Sequence, residues 1–448
     1  MNGPEDTIAA IATPTGKGGI GIVRVSGPAS KQIASQICHT EPVPRQVMYC
    51  TFRDKNKETI DKGVLLYFSS PASYTGEDVV EFQGHGSRAS LEALLQECVR
   101  NGARLARPGE FTERAYHNNR IDLLQAEAVA DLINSQSVES ARSAVRSLEG
   151  EFSESINQLV EQIDQLRLFT ESALDFPEEE IDFIKESDLG SKIEGVVSST
   201  LSILQSARQG RVMHEGCSLA ILGEPNVGKS SLLNCLSQAE RAIVSNQAGT
   251  TRDVLEDNIL INGLPIRIVD TAGIRSTGNE IEREGIARAV KAAESADLVL
   301  HVHDAENISG EGVRERLPGE VNVLDVINKI DLLDDDDQTQ VTRDKADAVL
   351  ISAKTGEGLE QLRKKIFLLL NPHSSERTLP GRTRHLEALE KTVVELEQAL
   401  KQSRGTSPAA ELIAEDLLRA QQSLETITGK TVADDLLGKI FSSFCIGK

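Results

Sequence analysis

The chain has 448 residues, too many for one hydrophobic core, so two or three domains are expected. A formal net charge of -21 without a long basic stripe argues against a protein that grips nucleic acid by its own electrostatics, though not against an RNA delivered by a basic partner. Aromatic residues make up 3% with no Trp, which argues against a base-stacking platform. The six cysteines (Cys38, Cys50, Cys98, Cys217, Cys235 and Cys445) form no Cys-x-x-Cys pair, so cysteine-based zinc or iron–sulfur centres have little support. The start, Met1 to Asp6, lacks a basic segment followed by an apolar one, and no apolar run approaches ~18 residues. A cytoplasmic protein with reduced thiols and no membrane partner is expected.

In chain order, the first 118 residues mix strands and helices. Gly19–Val25, Val64–Phe68 and Val79–Phe82 are β-rich, with turn chemistry at Ser73-Tyr74-Thr75-Gly76. Ala89–Val99 reads as a helix ended by Asn101-Gly102. Gly16-x-Gly18-Gly19-x-Gly21 invites a dinucleotide-loop reading. Those glycines precede a strand and do not join a strand to a helix, so that reading fails. From Asn119 the pattern turns helical. Phe152, Ile156, Leu159, Val160, Ile163, Leu166 and Phe169 recur at spacings of three and four. Pro177 and Glu178-Glu179-Glu180 interrupt the pattern, which resumes through Ile193, Val197, Leu201 and Leu204.

The stretch Gly223-Glu224-Pro225-Asn226-Val227-Gly228-Lys229-Ser230 fits G-x-x-x-x-G-K-[ST], between the strand-like Ser218–Leu222 and a helix opening at Ser231–Leu236. In that context the loop cradles phosphates: Lys229 reaches the β and γ groups and Ser230 binds Mg²⁺. Asp270-Thr271-Ala272-Gly273 follows the strand-like Pro265–Val269 and suits an outer-sphere Mg²⁺ contact and a γ-phosphate approach. Asn328-Lys329-Ile330-Asp331 follows Leu324–Ile327, and Asp331 can accept from the N1–H and N2–H₂ edge of guanine, which adenine lacks. Ser352-Ala353-Lys354 follows Ala348–Ile351 and closes over the base. Any one of these is also what an ordinary strand-end turn looks like; four in this order imply GTP. Nucleotide contacts are expected from Asn226, Val227, Gly228, Lys229, Ser230, Ser231, Asp270, Thr271, Ala272, Gly273, Asn328, Lys329, Asp331, Ser352, Ala353 and Lys354.

Beyond the nucleotide domain, Leu386, Leu389, Val393, Leu396 and Leu400, then Leu412, Ile413, Leu417 and Leu418, return to helical spacing. Helices on both sides of an α/β domain suggest an insertion. The expected division is 1–118 (α+β), 119–215 and 373–448 (one α-helical domain in two pieces) and 216–372. That last piece is an inserted Ras-like α/β P-loop domain, a mixed sheet with helices on both faces.

Together with Gly18–Gly27, Tyr74–Asp78, Glu81, Gln83–Gly86, Arg107–Thr112, Asp122–Ala128, Leu174–Pro177 and the closing Phe441–Lys448, these motifs make the whole chain resemble the MnmE (TrmE) family of tRNA modification GTPases. The Cys-Ile-Gly-Lys end is the most specific part of the resemblance. Read alone it resembles a prenylation box, but Lys448 is a poor last residue for one.

The resemblance implies a wobble-uridine modification factor. It implies a constitutive homodimer that forms a heterotetramer with an FAD-dependent partner, GidA (MnmG), and installs a carboxymethylaminomethyl-type group at C5 of U34 in certain tRNAs. It implies a 5,10-methylene- or 5-formyl-tetrahydrofolate held by Arg24, Glu81, Arg120 and Lys448. A carboxylate can read a pterin N–H edge and cations suit its glutamate tail. Without the resemblance, Arg24 and Glu81 are ordinary strand-face charges. Arg120 departs from a Lys that also occurs in the family.

The water-positioning Gln common after Asp-x-x-Gly in small GTPases is replaced by Ile274. Glu280, Glu282 and Glu284 follow, and the residues alone do not rank them; the family pattern selects Glu282 as catalytic. K⁺ is implied in the place of an arginine finger, bound by Asn226 and by backbone oxygens around Ser245, Gln247 and Thr250, within Ser245-Asn246-Gln247-Ala248-Gly249-Thr250-Thr251. That loop joins the nucleotide contacts, with Thr251 on Mg²⁺ beside Ser230. Arg252 and Arg275 are accessory candidates or surface charges. The tail thiol Cys445 is open between a catalytic, redox and packing role. A ribosome-assembly GTPase switch without modification activity is the alternative function. A folate-binding aminomethyltransferase-like module regulated by the GTPase is a third.

Overall fold

The computed structural model describes residues 6–14, 18–135, 137–174, 188–239, 258–269, 296–307, 322–334, 347–370, 381–405, 409–442 and 444–447, with single positions 16, 293, 338, 339, 341, 343, 345 and 379. They group into two compact units. One comprises Met1–Ala130, Leu148–Val160 and Gln421–Lys448; the other comprises Asp131–Ser147 and Glu161–Ala420.

The first unit is built on a six-stranded sheet of β1 (Thr7–Ile11), β2 (Gly18–Ser26), β3 (Met48–Arg53), β4 (Thr59–Phe68), β5 (Val79–Gly86) and β6 (Ala103–Leu105), in the order β3-β4-β5-β2-β1-β6. Only the β1–β6 pair is parallel. Alternation along β2 sends Val23 and Val25 to one face and Arg24 to the other. The apolar face packs Val23, Val25, Val80 and Phe82 against Ile33 and Ile37 of α1 (Ser30–Cys38) and Leu91 and Leu94 of α2 (Arg88–Arg100). On the other face Ile8 and Ala10 meet Phe111 of α3 (Glu110–His117).

An ion network fixes the start of α3. Glu110 is buried; it takes the Arg104 guanidinium and accepts from the backbone N–H of Arg107 at 2.8 Å, while Arg114 bridges Asp6 at 2.6 Å and Glu77 at 3.0 Å. Burial pushes the Glu110 carboxyl up, but the Arg104 hydrogen bond, the Arg107 N–H and the charges of Arg104 and Arg114 outweigh it and hold the pKa at about 2, below the ordinary 4.5. A depressed folded value means that ionised Glu110 stabilises this unit above about pH 4.5, and that this contribution is lost as pH falls toward about 2. The thermal midpoint should therefore drop more steeply across that window in the wild type than in Glu110→Gln. Parallel pH profiles for the two would remove Glu110 from the acid transition.

Helices α4 (Leu123–Asn134), α5 (Val138–Leu148), α6 (Glu151–Leu174) and α7 (Leu189–Glu215) follow. The second unit holds a sheet of β7 (Cys217–Leu222), β8 (Asn258–Ile261), β9 (Leu264–Val269), β10 (Leu298–Asp304), β11 (Val323–Asn328) and β12 (Val349–Leu350), in the order β12-β11-β10-β7-β9-β8. Every pair is parallel except the β8–β9 hairpin. That is the Ras-like order, with the first strand, β7, inside the sheet. β7 is buried throughout, as a central parallel strand must be. Helices α8 (Lys229–Ala239) and α9 (Leu359–Leu370) bury Leu232, Leu236, Leu362 and Ile366 against the sheet. Outside the sheet, α7 lies along α10 (Thr383–Ser403); α11 (Ala410–Thr428) and α12 (Asp434–Ser442) complete the chain.

Candidate functional site

The nucleotide motifs meet at the carboxyl ends of β7, β10, β11 and β12. After β7 the chain turns through Gly223 at φ +146°, Asn226 at +65° and Gly228 at +98°, and α8 starts at Lys229. Val227 is buried in the core and anchors the loop. A helix N-terminus there leaves backbone N–H groups without helical partners, which favours an anion. The Lys229 ammonium donates to the carbonyls of Gly223 at 2.7 Å and Glu224 at 2.6 Å, and burial lowers its pKa from the ordinary value. Ser230 and Ser231 follow in the first turn of α8.

Asn328, at the end of β11 and 2% exposed, joins this loop to the Asn-Lys-x-Asp and Ser-Ala-Lys loops. Its Nδ2 donates to the Val227 carbonyl at 2.8 Å, and its Oδ1 accepts from the Ala353 N–H at 2.9 Å. Lys329 sits at φ +69° and pairs with Asp304 at 2.6 Å. Asp331 accepts from the Ser352 hydroxyl at 2.7 Å, with the Lys354 ammonium 3.7 Å away. The Ser352 hydrogen bond lowers the Asp331 pKa, with the Lys354 charge adding to it. The carboxylate is thus fixed and ionised, a charged acceptor with two oxygens. Ser352 also receives the Thr355 N–H at 3.1 Å, and the Cys235 thiol donates to the Ala353 carbonyl at 3.0 Å. Asp304 and Cys235 were not among the expected site residues. Asp304 ends β10 beside the Asn-Lys-x-Asp loop, a placement visible only after strand pairing.

This bridge makes a prediction. A Cβ on Gly228 would lie 2.2 Å from Asn328 Nδ2, at a φ that an L side chain rarely adopts. Gly228→Ala should push Asn328 off the Val227 carbonyl and weaken GDP binding by about tenfold or more. Unchanged GDP affinity, read by fluorescent-nucleotide displacement, would make the bridge dispensable.

In the first unit Arg24 faces Glu81 across the β2–β5 pair. The guanidinium donates to Glu81 Oε1 at 2.9 Å and to the carbonyl of Gly447 at 3.2 Å, while Gln83 donates to Glu81 Oε2 at 3.3 Å. It also lies 5.7 Å from the ring centroids of Tyr74 and Phe111. Tyr74 and Thr112 hydroxyls are 2.9 Å apart. The tail arrives because α12 and the turn after it bury Phe441 and Phe444 beside Leu123. Gly447, at φ +93°, then lies where a Cβ would be 2.6 Å from the Ile11 carbonyl. Cys445 is exposed, and its carbonyl accepts from the Gly109 N–H at 3.3 Å. The Arg120 side chain packs near Gly76, in the turn after Tyr74. Arg24, Glu81 and the Gly447 carbonyl therefore form one polar cluster beside Tyr74 and Phe111, two rings that sequence reasoning had not assigned to the site.

Ser245–Thr251, Asp270–Gly273, Glu282 and Lys448 lie outside the described residues, as do Arg252, Ile274 and Arg275. Among the described residues, no helix is long and apolar enough to cross a membrane.

Known proteins match both halves of this description. A model for the GTP-binding protein TrmE N-terminus matches residues 7–120, and one for the MnmE helical domain matches residues 123–445. A relative from Ectopseudomonas mendocina is 46% identical over 456 residues, covering 100% of each chain. One from Thiobacillus denitrificans is 47% identical over 449 residues, covering 99% of this chain and 98% of that protein. One from Legionella pneumophila is 46% identical over 452 residues and 99% of each. All three are called tRNA modification GTPase MnmE. With a helical-domain model running over most of its length and relatives of this identity from end to end, the chain belongs to the MnmE (TrmE) family of tRNA modification GTPases.

Proposed function

We propose that this protein hydrolyses GTP to drive the modification of C5 of the wobble uridine, U34, in certain tRNAs. The observation that carries the reading is the Asn328 bridge from the phosphate loop to the Ala353 N–H, with Asp331 held by Ser352 beside it. One side chain thereby ties phosphate binding to guanine reading. Asp331 accepts from the N1–H and N2–H₂ edge, and the Ser352-Ala353-Lys354 loop closes on the base. Lys229 leaves its two carbonyl partners for the β and γ phosphate oxygens, a charge-assisted gain.

The donors suit the ions. Ser230, with Thr251, would offer hard oxygens to Mg²⁺, and Asn226, with Ser245, Gln247 and Thr250, would offer neutral oxygens to K⁺. Bound there, the two cations would offset charge developing on the phosphoryl oxygens. Thr271, Ala272, Gly273 and the Asn246–Gly249 backbone would line the γ-phosphate side, and Glu282 would orient the attacking water.

The Arg24–Glu81 cluster has the donor and acceptor set for a tetrahydrofolate. Glu81 would take the pterin N–H edge; Arg24, Arg120 and Lys448 would serve its carboxylates. Such a folate would supply the one-carbon unit. The protein would act in the cytoplasm as a homodimer that forms a heterotetramer with GidA (MnmG), its chain divided into 1–118, 119–215, 216–372 and 373–448.

GTP turnover in K⁺ against Na⁺ at constant ionic strength tests the catalytic part. The rate should rise severalfold in K⁺, and Asn226→Ala should abolish that response while GTP still binds. Equal rates in both salts would remove K⁺ from the site.

A further inference from the structure

The face of the central sheet under Ala220, Leu222, Val299 and Val323 is apolar, yet three polar side chains continue it toward the strand ends. His301 and His303 stand two apart on β10 and so share a face; Asp325 on β11 is in direct register with His301. His301 is 4% exposed, and the other two are half-buried. His301 Nδ1 and His303 Nε2 each lie 3.2 Å from Asp325 Oδ1, and one potential ligand atom from each residue falls within 4.8 Å of the others. We propose that His301, His303 and Asp325 form a binding site for a borderline divalent metal ion, Zn²⁺ first among them.

Geometry and chemistry both favour an ion. A tetrahedral Zn²⁺ with ligand bonds of about 2.0–2.1 Å keeps neighbouring ligand atoms roughly 3.3 Å apart, close to the two 3.2 Å His–Asp distances here. Two neutral imidazoles and one carboxylate are a known donor type for zinc and for iron(II), and they leave positions for water. Three polar groups also sit on a sheet face where aliphatic side chains would be cheaper to bury, so a purely packing role explains them poorly. The ordinary alternative is that both rings donate N–H bonds to the one oxygen. The metal would take the place of both of those hydrogens, each neutral ring then carrying its one proton on its other nitrogen. Bound there, the ion would clip β10 to β11 one residue before Asp304, the partner of Lys329 in the guanine loop. Cysteine spacing gave no hint of this site, because its ligands come from two paired strands and not from a local motif.

The test uses the full chain, stripped of metal, with GDP and excess Mg²⁺ present to occupy the nucleotide site. Zn²⁺ is titrated in competition with a chromophoric chelator. One Zn²⁺ per chain should be held, His303→Gln and the isosteric Asp325→Asn should each weaken it by more than about 100-fold, and Cys445→Ser should not. Retained GDP binding reports that each variant is folded. Co²⁺ on the wild type gives a readout that needs no variant: strong tetrahedral visible bands without a thiolate charge-transfer band. Failure to take up stoichiometric Zn²⁺, equal affinity in folded variants, or a thiolate band would overturn the proposal.

Discussion

Asp331→Asn lowers the affinity for GTP by about 10²-fold or more and raises that for XTP. The carboxylate accepts both guanine donors at once; an amide turns one of those acceptors into a donor that faces another donor, which loses a charge-assisted bond and adds an unpaired polar group. Xanthine carries a carbonyl where guanine has its amino group, so the amide of the variant can donate to it. The loop should survive, because the Ser352 hydroxyl, 2.7 Å from Asp331 Oδ1, can donate to an amide oxygen equally well. In the wild type the Ser352 hydrogen bond and the Lys354 charge hold the Asp331 pKa below its ordinary value, so the acceptor stays ionised through mildly acidic pH. Dissociation constants for GTP and XTP measure the exchange directly. An unchanged GTP constant would take Asp331 out of base recognition.

Glu282→Ala slows GTP turnover by ~10²-fold or more with little change in GTP affinity. The expectation starts from Ile274, which can neither orient nor deprotonate a water in the place where a Gln commonly stands. A residue that acts only on the attacking water contributes in the transition state and little in the bound ground state, so kcat falls and binding does not. Lys229 differs: it holds phosphate in both states, and Lys229→Ala should lose affinity as well. Single-turnover hydrolysis alongside GTP binding separates the two patterns. Near-normal turnover in Glu282→Ala would return the role to another carboxylate of that segment.

The nucleotide site was legible in sequence because its chemistry is local. A loop between a strand and a helix needs Gly228 at positive φ and Lys229 at the first helical position, and both requirements fall within eight letters. The Asn-Lys-x-Asp and Ser-Ala-Lys loops were legible for the same reason. What joins them was not: the Asn328–Val227 bond spans 101 positions and follows from the order of parallel strands.

The first unit was legible in part. Val64–Phe68 and Val79–Phe82 show β-branched and aromatic runs and became β4 and β5, while β1, β3 and β6 escaped notice. Thr7–Ile11 is short and buried without alternation, and Ala103–Leu105 is three residues long and defined by pairing alone. Arg24 and Glu81 are 57 positions apart and meet because the register puts them opposite; the Gly447 carbonyl reaches Arg24 across 423. Tyr74 and Phe111 beside them carry no local mark of a site.

The proposed function requires GTP chemistry at Lys229 and the Arg24–Glu81 cluster to serve one modification of U34. Nucleoside analysis of tRNA tests it most directly, in cells where this chain is the sole member of its family. Wild-type cells should carry the C5-modified uridine. Deletion should leave U34 unmodified, and Lys229→Ala and Glu81→Ala should each deplete the modified nucleoside to near the deletion level. Full modification in the deletion strain, or in both variants, would rule out that joint role.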